Sequence, residues 1–468
     1  MAECAHSGLT RRQFLGAVAV SAALTGAGGA AGESQARRPN VLYVFSDQHR
    51  WHSMSFTEQP EVQTPHMARM AREGVSFSQC ISSYPVCSPH RAMLITGRWP
   101  YQTGLIDNNI KLSPNEPTVS KAFKEAGYRT GYIGKWHLGG ERAEPFGFDH
   151  SLIWTGTNEH WDQSKYYPAE GDPVQPKGYN ATLMTDQALA FMEEQRSEPF
   201  FLMLSLNPPH SNFVDAPESK KALYPKGSIP FRANVPEAPA EADEAVMKHR
   251  LSGVNRSDWE TYLGYHAHIS AIDDELGRIL NKLDELGLAD NTVVVYSSDH
   301  GSMQGSHGLG GKRQPHEESI RVPFLVRYPG AVPAGRQEDA LMGSVDIAPT
   351  LTGLAGLDKP AAFEGCDFSP LLRGEAFEKP SSQLIMHIAK DNATGGQNNP
   401  APLFRGLRTD RYTYAELTAG GGLLFDNRED PYQLKNLFAE PALDKERTAL
   451  HEELIQSLRR AHDPLGNA

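Results

Sequence analysis

The chain has 468 residues, of which 39% are hydrophobic, and its formal net charge is -12. This length allows two or three domains, or one large domain with an appendage, and the hydrophobic content is ordinary for a globular protein with a substantial core. The negative charge is spread along the chain, and no Lys/Arg block with interleaved aromatic residues occurs. These features argue against a nucleic acid partner.

The first 36 residues resemble a twin-arginine export signal. Arg11 and Arg12 precede Phe14 and a weakly hydrophobic run of Ala, Val, Gly and Leu that ends in small residues. That run is interrupted by Gly, Ser and Thr, and no later stretch is long enough to cross a membrane. We therefore expect a periplasmic or secreted protein that uses the twin-arginine export machinery and has no stable membrane insertion. An uncleaved membrane anchor is the alternative.

Four apolar segments predict buried strands that end on polar residues. The segments are 41–45, a shorter one around 132–133, 200–206 and 293–296, and the residues that follow them are Asp47 and Gln48, Lys135 and His137, His210, and Asp299 and His300. Unbroken apolar runs are typical of strands that are buried on both faces of a sheet. In open α/β sheets, ligands bind at the carboxyl ends of the strands. The sequence thus predicts a site at this edge.

Helical patterns separate these strands, as a mainly parallel sheet requires. They cover 118–126, with Thr118 as the candidate N-cap, then 182–195, and most clearly 266–286, where apolar residues recur at helical spacing. Residues 211–256 are rich in Pro, Ala and Glu without periodicity, which indicates a long surface excursion near the site. The fold class expected for residues 37–357 is therefore α/β.

Beyond about residue 358 the pattern changes. The segment RGLRTDRYTYAELTAGGGLLFD predicts short antiparallel strands around a Gly-rich turn, and 440–461 predicts an amphipathic helix. We expect residues 358–468 to form a smaller C-terminal α+β subdomain with an antiparallel sheet.

The position of Cys87 is unusual in a chain with few cysteines. Removal of the signal leaves three cysteines, Cys80, Cys87 and Cys366. An odd number in an oxidising compartment leaves at least one thiol unpaired or chemically altered. Ser88 is a candidate N-cap and Gly97 a candidate C-terminal residue of a short helix, which places Cys87 at a helix N-terminus that favours negative charge. This setting favours an activated nucleophile, and a disulfide between Cys80 and Cys87 is the alternative.

Together, these segments resemble the formylglycine-dependent sulfatases of the alkaline phosphatase superfamily, of the exported bacterial type. Cys87, Pro89 and Arg91, followed by AMLITGR, resemble the family signature, whose cysteine is oxidised enzymatically to formylglycine (3-oxoalanine). The segments NVLYVFSDQ, GYIGKWHLG, SDHGSMQGSHGLGGK and LFDNREDPYQLKNL extend the resemblance over most of the mature chain. It implies a sulfuric ester hydrolase in which helices sandwich a large, mainly parallel mixed sheet.

The resemblance also implies a site for one divalent metal. Its ligands would be Asp47, Gln48, Asp299 and His300, together with the oxygens of modified residue 87. Carboxylate and amide oxygens favour Ca²⁺. The commonest family pattern has Asp-Asp and Asp-Asn at the two strand ends, so Gln48 and His300 depart from it. Because His300 is a softer ligand, Mn²⁺ remains open as an alternative, and so does Mg²⁺.

By the same resemblance, the hydrated aldehyde of residue 87 offers one hydroxyl that attacks sulfur and a second whose deprotonation ejects sulfate. Arg91 and Lys135 would stabilise the modified side chain. His137 would be the base at the second hydroxyl, and His210 and Lys312 would bind sulfate and the leaving oxygen. A formylglycine-generating enzyme is then a partner during maturation.

Export favours a sulfated saccharide as the substrate. A phosphonate or phosphate ester hydrolase of the same superfamily and a non-catalytic carbohydrate-binding relative are the alternatives. We expect selectivity to come from the excursion over 211–256, an aromatic loop over 154–167 and a Gly/Asn-rich loop over 390–402. The last two loops would form opposite walls of a pocket. The aromatic residues expected to stack on sugar rings are Trp154, Trp161, Tyr166 and Tyr167. The alternative is that they only pack the loop onto the body of the protein.

Overall fold

The computed structural model describes residues 38–154, 159–162, 165–237, 256–389 and 401–467. The strands are β1 Asn40–Ser46, β2 Val75–Phe77, β3 Cys80–Ile81, β4 Arg129–Lys135, β5 His150–Trp154, β6 Tyr166–Pro168, β7 Phe200–Ser205, β8 Thr292–Ser298, β9 Arg321–Val322, β10 Phe324–Arg327, β11 Arg336–Glu338, β12 Met342–Gly343, β13 Ser382–His387, β14 Phe404–Thr409, β15 Tyr412–Leu417 and β16 Gly422–Asp426. The α-helices are α1 Pro65–Glu73, α2 Cys87–Thr96, α3 Pro100–Thr103, α4 Val119–Glu125, α5 Asn180–Glu194, α6 Glu218–Lys221, α7 Trp259–Glu285, α8 Glu317–Ile320, α9 Ile347–Leu354, α10 Ser369–Arg373 and α11 Asp444–Arg460.

A nine-stranded mixed sheet forms the centre of the fold. Its strand order is β11-β2-β10-β8-β1-β7-β4-β5-β6. The five strands from β8 to β5 run parallel, whereas β10 and β6 pair antiparallel with their neighbours β8 and β5. In the register, Val41 of β1 lies between Phe201 and Val293. The parallel strands therefore end at one common edge.

Helices cover both faces of this sheet. Val41, Tyr43 and Phe45 of β1 pack in one apolar cluster with α2, α4 and α9, whereas Leu42 and Val44 pack in another with α1, α5 and α7. Because successive side chains of a strand point to opposite faces, this explains why the segment is apolar at every position. The α/β fold class and the sandwiched, mainly parallel sheet are confirmed.

The C-terminal part contains an antiparallel sheet of four strands in the order β13-β14-β15-β16. Leu407 and Tyr414 of this sheet pack with Leu450 and Leu454 of α11. Met93 of α2 belongs to the same apolar cluster, while its neighbour Leu94 packs toward the large sheet. Helix α2 thus lies between the two sheets and is buried along its whole length. The predicted antiparallel C-terminal sheet is confirmed.

The predicted helices are present, with shifted ends. Thr118 caps α4 as predicted, because its hydroxyl accepts the backbone N–H of Lys121. Helix α7 begins at Trp259, well before the predicted start, because Asp258 caps it by accepting the N–H of Thr261. The described part of the 211–256 excursion contains only α6 and short turns, as expected.

None of the helices in the described ranges combines the length and the apolar character needed to span a bilayer. The predicted export signal over residues 1–36 lies outside the described residues, and so does 238–255 of the excursion.

Candidate active site

The carboxyl ends of four neighbouring strands bring the predicted polar residues together. Asp47 and Gln48 follow β1, Asp299 and His300 follow β8, Lys135 ends β4, and His210 lies beyond the end of β7. These strands are adjacent in the order β8-β1-β7-β4. Parallel neighbours end at the same edge of a sheet, so residues from distant parts of the chain meet there.

Cys87 lies at this edge of the sheet, at the start of helix α2. The first turn of α2 differs from the prediction. Cys87 is its first residue and Val86 is the N-cap, so the prediction that Ser88 caps the helix is wrong. The Ser88 hydroxyl instead donates to the carbonyl of His137, and the Ser88 N–H donates to Oδ1 of Asn108 at 3.0 Å. A side chain from another segment thus satisfies an N–H of the first turn.

Cys80 and Cys87 are both free thiols, so the alternative of a disulfide between them is wrong. Cys80 lies in β3 of the small sheet formed by β12, β3 and β9.

Gly97 closes α2 as predicted, in the left-handed conformation with φ of 60°.

Cys87 is buried among charged groups. Its Sγ lies 3.1 Å from Nζ of Lys312 and 3.3 Å from Nε2 of His300. Burial and the nearby Asp47 raise the pKa of the Cys87 thiol, but Lys312, Lys135 and His300 outweigh them and hold that pKa well below its ordinary value. The position therefore favours a negatively charged or strongly nucleophilic group.

Arg91, one turn along α2 from Cys87, joins two carboxylates. Its Nη2 lies 3.1 Å from Oδ2 of Asp47 and 3.0 Å from Oδ2 of Asp299. Its Nη1 donates to the Lys135 carbonyl at 2.8 Å and to the hydroxyl of Ser205 at 2.7 Å. The buried guanidinium therefore fixes the two aspartates relative to one another.

Asp47 is surrounded by cations. Nζ of Lys135 lies 2.6 Å from its Oδ2 and 5.8 Å from the ring centre of Trp154. Burial would raise the pKa of Asp47, but Lys135, His210, Lys312 and Arg91 together hold it well below the ordinary value. Asp47 is therefore ionised at neutral pH.

Asp299 and His300 face Asp47 across the site. Burial and the Asp47 charge raise the pKa of Asp299. Nδ1 of His300 lies 2.9 Å from the carbonyl oxygen of Gly301, which can only accept a hydrogen bond. Nδ1 therefore carries a proton, and Nε2 faces the carboxylates, 3.5 Å from Oδ1 of Asp299 and 3.8 Å from Oδ1 of Asp47.

Gln48 is held in a strained conformation with φ of 80°. Its backbone N–H donates to Oδ1 of Asp299 at 3.1 Å, and its Nε2 donates to the hydroxyl of Ser302 at 3.1 Å. Its Oε1 accepts a hydrogen bond from Lys312 at 3.3 Å. The amide oxygen, which is the metal-binding end of the side chain, therefore faces the site.

These residues suit a divalent cation. Asp47, Cys87, Asp299 and His300 are all buried, and each offers one ligand atom within 4.8 Å of the others. Burying two adjacent carboxylates is unfavourable, and the raised pKa of Asp299 reflects this. A bound cation would offset that unfavourable free energy. The Nδ1–H of His300 has the carbonyl acceptor that metal-bound histidines typically have.

Two further predicted histidines lie beside the charged groups of the site. Burial lowers the pKa of His137 although a hydrogen bond with Cys87 opposes this shift, and its Nδ1 has no hydrogen-bond partner among the described residues. Burial, with the charges of Lys135 and Lys312, holds the pKa of His210 well below its ordinary value. Both imidazoles are therefore neutral at pH 7 and can accept a proton.

Several residues that hold the site residues in place are not predicted from the sequence. Ser205 anchors Arg91, Ser302 anchors Gln48 and Asn108 completes the first turn of α2. Ser205 ends the apolar strand β7 and Ser302 follows the SDHG segment, so polar residues at strand ends were the available signal. Asn108 has no comparable signal, because it comes from an irregular segment.

The aromatic loop is only partly as predicted. Trp154 and Tyr166 are buried in the core, so the prediction that they stack on sugar rings is wrong, because their strands turn these rings inward. Trp161 is 40% exposed, and its Nε1 donates to the carbonyl of Asp215 at 2.7 Å. Residues 390–400 of the predicted Gly/Asn-rich loop lie outside the described residues.

The structure describes the two residues that precede the Gly/Asn-rich loop, Ile388 and Ala389. The backbone N–H groups of Ile388 and Ala389 donate to the Tyr84 hydroxyl at 3.1 and 3.3 Å, and this hydroxyl donates to the carbonyl of Ile106. Asn108, two residues after Ile106, accepts a hydrogen bond from the first turn of α2. The chain therefore enters the loop close to the Cys87 helix.

Comparisons with known proteins agree with this geometry. The family model described as Sulfatase matches residues 39–357, and the model described as N-sulphoglucosamine sulphohydrolase, C-terminal, matches residues 305–460. An ulvan-active sulfatase of Formosa agariphila is 34% identical over 447 residues, which cover 92% of this chain and 83% of that protein.

Two solved structures are similar over nearly the whole chain. One is a structure in complex with its substrate D-glucosamine-2-N,6-O-disulfate, with a TM-score of 0.83 and 25% identity, covering 92% of this chain and 99% of that one. The other, a phosphonate monoester hydrolase of Agrobacterium radiobacter, has a TM-score of 0.74 and 24% identity, and covers 91% of this chain and 96% of that one. The second likeness shows the shared fold.

Proposed function

Because this chain belongs to the sulfatase family and is a sulfuric ester hydrolase, we propose that it removes sulfate from a sulfated saccharide by means of a formylglycine made from Cys87. One observation carries this proposal: the Cys87 side chain is buried at the start of α2, between Nζ of Lys312 at 3.1 Å and Nε2 of His300 at 3.3 Å. A disulfide or a core cysteine would not be surrounded by cations and metal-ligand atoms.

In this proposal Asp47, Gln48, Asp299 and His300 hold one divalent metal, together with residue 87. When bound, the metal neutralises the negative charge of the sulfate ester. Ca²⁺ suits the three oxygen ligands, while the imidazole of His300 suits Mn²⁺; Mg²⁺ is the third candidate. Arg91 would hold the two carboxylate ligands in place relative to one another, and Lys135 also contacts Oδ2 of Asp47.

The formylglycine supplies a hydroxyl nucleophile where the thiol now lies, and the surrounding side chains bind and move protons. Lys312 places a positive charge beside the nucleophile and, with His210, binds the sulfate and the leaving oxygen. His137 is hydrogen-bonded to residue 87 and is neutral at pH 7, so it accepts the proton whose removal releases sulfate. Each of these groups comes from a different segment that ends at the same sheet edge.

A saccharide substrate is supported by the relatives and by an exposed aromatic ring of the predicted aromatic loop. The similar proteins act, by their names, on ulvan or on a disulfated glucosamine. Trp161 exposes an indole ring that its hydrogen bond to Asp215 holds in place, and rigid aromatic rings of this kind stack on sugar faces. The loop over 390–402 begins near the Cys87 helix and, in this proposal, forms the opposite wall.

Export is part of the proposal because sulfated polysaccharides occur outside the cytoplasm. The segment over residues 1–36 directs the chain to the twin-arginine machinery, which places it in the periplasm or outside the cell. A formylglycine-generating enzyme acts on Cys87 during maturation. Residues 37–357 form the catalytic domain, and residues 358–468 form a subdomain that covers α2.

The test uses the full chain produced together with a formylglycine-generating enzyme. We expect the tryptic peptide that contains Cys87 to have one sulfur and two hydrogens replaced by one oxygen. We also expect faster hydrolysis of nitrophenyl sulfate than of the matching phosphate or phosphonate ester. An unmodified Cys87 peptide in an active preparation would refute the formylglycine, and a preference for the phosphonate ester would favour that alternative. A Cys366→Ser variant is the matched control, because it removes a thiol outside the strand-end site.

A further inference from the structure

A second cluster of metal-ligating side chains lies outside the catalytic site. Its members come from three separate segments: His160 from the loop after β5, Asp215 from a short 3-10 turn that follows His210, and His268 from the middle of α7. One ligand atom of each lies within 4.8 Å of the other two. No step of the proposed reaction uses these residues.

The contacts centre on one carboxylate oxygen. Oδ1 of Asp215 lies 2.7 Å from Nδ1 of His160 and 3.2 Å from Nε2 of His268. The main-chain oxygen of Asn212 lies 3.2 Å from the same Nε2 of His268. Two imidazole nitrogens therefore meet at one carboxylate oxygen, and the Asn212 carbonyl contacts one of these two nitrogens.

The Asp215 carboxylate lies between two histidines. The Asp215 side chain is only 21% exposed, and among the described residues neither a lysine nor an arginine forms an ion pair with it. Both histidine side chains are fully buried. A largely buried carboxylate beside two buried imidazoles is a ligand set that a divalent cation can complete.

The surroundings orient the ring of His268 in the way that a metal ligand requires. Nδ1 of His268 lies 2.7 Å from the hydroxyl of Tyr179, which leaves its Nε2 directed at Asp215. Metal-bound histidines typically have such a partner on their second nitrogen. Imidazole nitrogens together with oxygen donors suit an ion of the zinc type better than calcium.

We propose that His160, Asp215 and His268, with the carbonyl of Asn212, bind a structural Zn²⁺ ion. The ion would tie the loop that bears Trp161 to the segment that follows His210. Because the Trp161 indole donates to the Asp215 carbonyl, the same ion would hold the exposed aromatic ring in place. Zinc binding at this cluster does not depend on the proposed function, since it can be measured without any turnover.

The test measures bound zinc in the full chain after saturation with Zn²⁺ in excess Ca²⁺ and removal of free metal. We compare the wild type with His160→Gln and His268→Gln, which can still form hydrogen bonds but lose the imidazole ligand. His66→Gln is the matched control, because His66 also lies beside two carboxylates, those of Asp273 and Asp274. We expect zinc content to fall by about one ion per chain in the two test variants and to be unchanged in the control.

A second measurement keeps the proposal testable if a variant folds poorly. Excess Zn²⁺ should raise the melting temperature of the wild type by about 2 °C or more, and this shift should be absent in His160→Gln. Equal zinc content in the wild type and both variants, loss of zinc only in His66→Gln, or no thermal shift in the wild type would each overturn the proposal. The cluster would then be a hydrogen-bonded triad without an ion.

Discussion

Nζ of Lys312 lies 3.1 Å from Sγ of Cys87, although 225 residues separate them in the chain. Each of these two side chains shifts the pKa of the other. Burial alone would lower the pKa of Lys312, but Cys87, Asp47 and Asp299 raise it, and Lys312 in turn helps to lower the pKa of Cys87. Lys312 is therefore a permanent positive charge beside the reacting position.

Replacing Cys87 by alanine should abolish turnover without unfolding the protein. The substitution removes the precursor of the nucleophile, and a loss on the order of 10³-fold or more in kcat is expected. Nitrophenyl sulfate hydrolysis measures the effect, and circular dichroism checks the fold. Cys80→Ala, which changes a buried thiol in β3, is the control and should retain activity. Near-native activity of Cys87→Ala would exclude the formylglycine.

Replacing Lys312 by alanine should lower kcat by about 10²-fold to 10³-fold, because a fixed charge at the transition state is lost. Lys312→Arg should recover part of the activity, since the positive charge returns with a different shape. The loss should be similar for an aryl sulfate and a saccharide sulfate, since Lys312 contacts the shared reacting group. A change in KM alone would indicate that Lys312 binds the substrate and the transition state equally.

Removing the metal should abolish activity, and Ca²⁺ or Mn²⁺ should restore it. A chelator-treated enzyme is assayed after adding back each ion. In His300→Asn an amide oxygen replaces the imidazole nitrogen, so the ratio of activity with Ca²⁺ to activity with Mn²⁺ should rise relative to the wild type. Full activity in a preparation shown to be free of metal contradicts the proposed ligand set.

Trp161 should affect the saccharide substrate alone. Trp161→Ala should raise KM for a sulfated saccharide by about tenfold, which corresponds to the loss of one aromatic stacking contact. Trp161→Phe keeps a ring and should retain most of the affinity. Nitrophenyl sulfate serves as the control substrate and should be turned over normally by both variants. Equal losses on both substrates would show that Trp161 supports the core site instead.

Shortening the loop over 393–399 should also lower activity on a sulfated saccharide without lowering activity on nitrophenyl sulfate. If the loop forms the wall opposite the aromatic loop, its removal weakens action on a saccharide and spares a small aryl sulfate, which needs only the core site. The measurement is the ratio of kcat/KM for the two substrates. An unchanged ratio with intact folding would place sugar recognition elsewhere.

Stability should fall as the pH is lowered below about 6.5. Burial lowers the pKa of His316 to about 3, so the unfolded chain takes up a proton at this residue before the folded protein does. The free energy of unfolding should therefore decline from about pH 6.5 toward pH 3, by up to about 2 kcal/mol from His316 alone at pH 5.

Urea unfolding at several pH values measures this slope. His316→Gln should flatten the decline between pH 6.5 and 5. The same slope in His316→Gln as in the wild type would contradict the assignment.

The sequence alone determined the strands that build the site and the residues at their ends. The segments that became β1 and β8 are apolar at every position because both faces of a central strand are buried, and this is visible without any structure. Their carboxyl ends meet because parallel neighbours end at one edge, so Asp47 and Asp299 were predictable partners. Thr118 was a predictable cap because its contact lies three residues away.

Only the tertiary structure decided which side chains support these residues and which aromatic rings reach solvent. Asn108 and Ser205 act through contacts between segments, and such contacts depend on how helices and strands pack rather than on any local periodicity. The sequence does not distinguish Trp154 from Trp161, since both lie in one aromatic stretch; the strand turns the first ring inward and the loop leaves the second exposed. His160, Asp215 and His268 likewise meet only because β5, β7 and α7 bring three distant segments to one place.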